Sequence, residues 1–184
     1  MATIPFKNNA SIDDLKRIGV TNYGFIKTTD IVFDPQALKL CESNACRRYG
    51  KFWTCAPGSG PIEQSKATCH SFSDALVFSS VYELEDSYDV EGMARGGTEF
   101  RNVCDRLYDL LTPPFKLLST GGCHLCKTCT YPDAPCRFPD RMSPSISSYG
   151  IIAAKLAECA GIPYVNGVNT VSYFGLLCFG KVPA

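Results

Sequence analysis

Thiols dominate the chemistry this chain can do. Its 184 residues include 11 cysteines and only two histidines. Soft-metal ligation therefore has many side chains to draw on, whereas Ser/His or Cys/His nucleophilic sites have few. Seven cysteines fall into two groups: Cys123, Cys126, Cys129 and Cys136 are spaced C-x2-C-x2-C-x6-C, and Cys41, Cys46 and Cys55 are spaced C-x4-C-x8-C. Cys69, Cys104, Cys159 and Cys178 stand apart.

The group from Cys123 carries the stronger signal. Three thiols within seven residues can curl around a compact inorganic cube and reach three of its corners, leaving the last iron to a more distant fourth. The run resembles the bacterial ferredoxin pattern C-x2-C-x2-C-x3-C-P, in which the fourth cysteine serves the other cluster. The longer gap and the Cys136-Arg137 ending depart from that pattern, and we read Cys136 as completing the same [4Fe-4S] site. Structural zinc is the competing cofactor: it usually takes two short knuckles separated by a longer stretch, although a four-thiolate site remains open to it. Gly121-Gly122 fits either a close approach of backbone to a bulky group or an ordinary turn. His124 either tunes the site or simply faces solvent. Arg137 and Arg141 either offset thiolate charge or make surface ion pairs.

Cys41, Cys46 and Cys55 have no close fourth partner. Three readings stay open: a cluster with one iron left for an exogenous ligand, completion by Cys69 or His70, or unrelated buried thiols. An iron without a protein thiolate can act as a Lewis acid. Arg47, Arg48 and Lys51 place positive charge beside these cysteines, which suits a small anionic ligand or a negatively charged redox partner. The same arginines would lower the pKa of a catalytic thiol, a third kind of function. Tyr49 and Trp53 are placed to shield this group from water. Cys104, Cys159 and Cys178 lie on apolar faces and read as small core residues.

The elements that must hold these loops follow from patterning. Ser11 and Asp14 open a short helix over Ile12 to Ile18, stopped near Gly19. Tyr23 to Phe33 reads as a strand interrupted at Thr-Thr-Asp, and Asp34-Pro35 starts a helix to about Cys41. Cys41 to Gly60 is turn-rich. Ala75 to Leu84 is a buried strand, and Gly92 to Leu111 is a helix with Phe100, Val103, Cys104, Leu107, Leu110 and Leu111 on one face, ended by Pro113-Pro114. Phe115 to Thr120 is a strand, Ser145 to Ala160 a helix stopped by Gly161, and Val171 to Phe179 an apolar strand central in its sheet. Strands and helices interleave, so we expect an α/β or α+β single domain over 1–184: a sandwich of a small mixed sheet with helices and cysteine-rich metal-binding loops.

Composition narrows the function. Hydrophobic residues make up 45% and charged residues 20%, with 18 basic and 18 acidic side chains. These are globular proportions. A neutral chain lacks the basic surface that a nucleic-acid binder uses, so we expect no nucleic-acid partner. No apolar run has the length of a membrane span or a signal peptide. That argues for a cytoplasmic protein, no membrane partner and reduced thiols. Disulfide scaffolds are shorter and carry cysteine above roughly 8%. No G-x-x-x-x-G-K-[ST] or G-x-G-x-x-G loop is present, and Gly58-Ser59-Gly60 lacks the full nucleophile-elbow pattern.

With those residues placed, the chain resembles DUF2284, a family of predicted metal-binding proteins common in anaerobic bacteria and archaea. One block is Cys41, Cys46, Tyr49-Gly50-Lys51, Trp53, Cys55 and Pro57. The other runs from Cys123 to Pro139, then Pro144-Ser145 and Tyr149-Gly150-Ile151, and the final TVSYFGLL stretch also fits. The family favours Cys-Pro-Pro where this chain has Cys55-Ala56-Pro57, and a carboxylate near Ser147. The resemblance implies metal binding, with iron–sulfur the favoured form, and does not supply a reaction. The expectation is a cytosolic protein with one or two [4Fe-4S] clusters, transferring electrons or performing a small redox or sulfur-handling reaction. Its alternative is a zinc-stabilised, non-enzymatic interaction module.

Overall fold

The computed structural model describes residues 3–7 and 10–181. Among these, four strands form one sheet: β1 (Asn22–Lys27), β2 (Phe72–Glu83), β3 (Lys116–Leu118) and β4 (Thr170–Lys181). Five helices accompany it: α1 (Asp14–Ile18), α2 (Pro35–Glu42), α3 (Ile62–His70), α4 (Val90–Asp109) and α5 (Ala153–Cys159). The strand order is β1-β2-β4-β3. The class is mixed α and β, as expected. The sheet expected to be mixed is antiparallel at each strand pairing, and the parallel contact Ser119↔Ser145 is an isolated bridge outside the strands.

β2 and β4 pair from Phe72↔Lys181 to Glu83↔Thr170, and both lie inside the sheet. Side chains alternate across a strand, so each of these two feeds two cores. Leu76 and Phe78 of β2, with Leu177 and Phe179 of β4, pack against α1 and against Phe100, Val103 and Leu107 of α4. Ala75, Val77, Leu176 and Cys178 face the other way, against Cys69 of α3, Leu156 and Ala157 of α5, and Ile146, Tyr149 and Ile151. Burial on both faces explains why the β4 sequence is almost uninterrupted in its apolar character.

One expected element differs, and one helix has no expected counterpart. The helix expected over Ser145 to Ala160 is a 3-10 turn at Ser147–Tyr149 followed by α5. Gly150 separates them at φ 76°, outside helical space, and Ile151 bridges to Phe33. α3 carried no clear amphipathic signal, because its buried face is Ser65 and Cys69. α2 begins as expected, with the Asp34 carboxylate accepting the Gln36 N–H. No helix among the described residues is long and apolar enough to cross a membrane.

Candidate metal centre

The two cysteine groups lie on two long loops: one joins α2 to α3, and the other leaves β3 and returns at Ser145. Thr54 stitches them together. Its side-chain oxygen accepts the Cys123 N–H at 3.1 Å. Its carbonyl accepts the Ser145 N–H at 2.9 Å and the Ser148 hydroxyl at 3.1 Å. Trp53 adds a second tie, donating from Nε1 to the Ala134 carbonyl at 3.1 Å and meeting Tyr131 edge-on with centroids 4.9 Å apart.

Cys123, Cys126, Cys129 and Cys136 line one small cavity of about 20 Å³, together with Phe52 and Trp53. Burial pushes the Cys123 thiol up, opposed by the Leu125 N–H, and the other three thiols act on it in the same upward direction. The Leu125 N–H lies 3.5 Å from Cys123 Sγ, and such N–H···S contacts are a lever on cluster potential. Arg137 lines this cavity and donates to the Thr128 carbonyl at 2.9 Å. Arg141 turns to Asp109, at 2.9 Å, and stacks over Tyr108 at 4.7 Å. His124 pairs with Asp105 at 2.6 Å.

Cys41, Cys46 and Cys55 share the second neighbourhood. Cys41 is half-buried at the end of α2, Cys46 is exposed and Cys55 is buried. Burial raises the Cys41 thiol, with Cys46 and Glu42 adding to it. Cys55 is pushed up to about 11, chiefly by burial, and it registers the charge of Cys46, Arg48 and Cys41. A raised thiol beside Arg48 is the opposite of an activated nucleophile. Such a thiol becomes a thiolate when a metal supplies the opposing charge. Cys55 Sγ also lies 3.8 Å from the Gly121 carbonyl oxygen, so the two loops meet at this point too.

Of the side chains considered for completing this trio, Cys69 is engaged elsewhere, whereas His70 keeps a buried Nε2 with no hydrogen-bond partner. Cys69 is fully buried and hydrogen-bonds Cys178, which is the largest influence raising the Cys178 thiol. The His70 ring packs edge-on to Phe33 at 5.8 Å. Trp53, expected over the first group, lines the cavity of the second. Cys104 and Cys178 are core residues as expected, whereas Cys159 is exposed. The inward stripe of α5 is Ala153, Leu156, Ala157 and Ala160, and at 3.6 residues per turn Cys159 falls beside it.

Among the described residues, no three His, Cys, Asp or Glu side chains are grouped as a single metal ion would need. Sequence reasoning missed Thr54, whose partners lie far away in the chain and leave no local pattern.

No curated protein matches the chain. Among solved structures it is similar to epoxyqueuosine reductase from Bacillus subtilis, at 14% identity and a TM-score of 0.42, over 94% of this chain and 45% of that one. The chain thus spans less than half the length of that enzyme. Residues 24–179 match the family of predicted metal-binding proteins DUF2284, and with both cysteine blocks inside that span, this chain belongs to that family.

Proposed function

We propose that the chain is a cytoplasmic iron–sulfur protein. Cys123, Cys126, Cys129 and Cys136 would hold one [4Fe-4S] cluster, and Cys41, Cys46 and Cys55 a second with one iron free of protein thiolate. Such groups supply one-electron transfer and, at an iron without a protein ligand, a Lewis-acid position. The function is electron transfer, or a small redox or sulfur-handling reaction at the trio. The observation that carries this reading is the convergence of four thiols on one cavity.

The protein's own groups have distinct tasks. Trp53 and Phe52 wall the four-thiol cavity and limit water there. Thr54 fixes the Cys123 backbone. The engagement of Cys69 with Cys178 supports a trio open to an exogenous ligand.

Protein purified without oxygen should contain iron and acid-labile sulfide and should give an electron paramagnetic resonance signal on reduction. Cys126→Ser and Cys55→Ser should each remove a different part of the visible absorption. A colourless preparation containing zinc alone would eliminate the proposal and favour the zinc-stabilised interaction module.

A further inference from the structure

Two arginines from distant parts of the chain meet where the cysteine loops touch. A side-chain carbon placed on Gly121 would lie 3.3 Å from Arg101 Nη1 and 3.6 Å from Arg48 Nε. One placed on Gly122 would lie 2.8 Å from Arg48 Nη1. The glycine pair thus lets both guanidinium groups pack against the backbone of this turn. Gly121 has φ +66°, in the left-handed region where glycine is favoured.

Neither arginine has a carboxylate partner among the described residues. The neighbouring acids are taken: Glu99 pairs with Arg106 at 2.5 Å, Asp105 with His124 at 2.6 Å and Asp109 with Arg141 at 2.9 Å. Arg101 donates from Nη2 to Thr98 Oγ1 at 2.9 Å, but its Nε is buried with no hydrogen-bond partner. Arg48 lies over the Phe52 ring at 6.0 Å. Burial lowers the Arg101 pKa and the charge of Arg48 lowers it further, opposed by Tyr173, Cys104 and Asp105. Two guanidinium groups thus lie close together, one of them with an unsatisfied buried donor.

We propose that Arg48 and Arg101 form a binding site for a small oxyanion beside the Cys41, Cys46 and Cys55 thiols. Arginine's planar fork matches the paired oxygens of carboxylate, phosphate or sulfur oxyanions. A small cavity of about 20 Å³ adjoins Arg101 and is lined by Ser119, Thr120, His124, Ser143, Arg141 and the Asp105 carboxylate, so only a small anion has room there and it meets one acidic group among the polar ones. The approach of Cys55 Sγ to the Gly121 carbonyl sets the trio next to this turn and its arginines. Binding stands on these side chains alone; the anion's role as a substrate of the trio rests on the iron–sulfur reading above.

Oxygen-free, full-length protein of measured iron and sulfide content is titrated calorimetrically with sulfite, phosphate and acetate in separate arms. At least one should bind saturably. Arg48→Met and Arg101→Met should each weaken it roughly tenfold or more, as loss of a charge-assisted hydrogen bond requires, whereas Arg17→Gln should not. Should a variant fail to fold, wild-type protein treated with phenylglyoxal provides the second test. The bound anion should protect Arg48 and Arg101 from modification, read by peptide mass spectrometry. Iron-loaded protein that binds none of the three, or arginines modified equally with and without anion, would overturn the site and leave the iron–sulfur reading intact. Iron-free, zinc-loaded protein that still binds would uphold the site and defeat that reading instead.

Discussion

Thr54 occupies a position out of proportion to its size. It is 1% exposed, and its side chain and carbonyl together hold Cys123, Ser145 and Ser148. Thr54→Val preserves the shape and removes the acceptor, leaving the Cys123 amide unpaired at the loop junction. We expect a loss of about 1–3 kcal/mol in stability and lower iron retention per chain, checked by thermal unfolding and metal analysis. Thr54 could not be picked out from sequence, because its partner lies 69 residues away. The cysteine groups could, because their ligand spacing is local. Cys159 shows the limit of local reasoning: one position off the inward stripe of a short helix separates a core thiol from an exposed one.

At the scale of elements, α2 delivers Cys41 and is tied down at its start. The Asp34 carboxylate accepts the Gln36 N–H at 2.9 Å and pairs with Lys155 of α5 at 2.7 Å. These partners, Lys155 first, hold the Asp34 carboxyl below its ordinary value of 3.8. A carboxyl depressed in the folded state stabilises the fold above its unfolded pKa, and that contribution disappears as pH falls through the folded value. Asp34→Asn should therefore be less stable than wild type at neutral pH, with the gap closing below about pH 3.8. Chemical denaturation at a series of pH values checks this. α4 was legible because its apolar stripe repeats at helical spacing over 20 residues. α3 was not, since nine residues burying Ser65 and Cys69 carry no such stripe, and the break at Gly150 falls inside a run that otherwise reads as helix.

For the whole molecule, the sheet is a partition with a core on each side. Leu177 is fully buried in the α4 core, on the face opposite Ile146 and Tyr149, where the second cysteine loop returns. Leu177→Ala should cost about 2–5 kcal/mol while leaving the iron content of the folded fraction unchanged, measured by denaturant unfolding beside metal analysis. The internal place of β4 was legible from its apolar run. The strand order and the antiparallel pairing were not, since they depend on contacts such as Phe72↔Lys181 that no local pattern encodes. The only tryptophan of the chain stands at the wall of the four-thiol cavity. Its emission is therefore a built-in optical gauge: a coloured group seated there would quench the ultraviolet fluorescence, and its departure would restore the light.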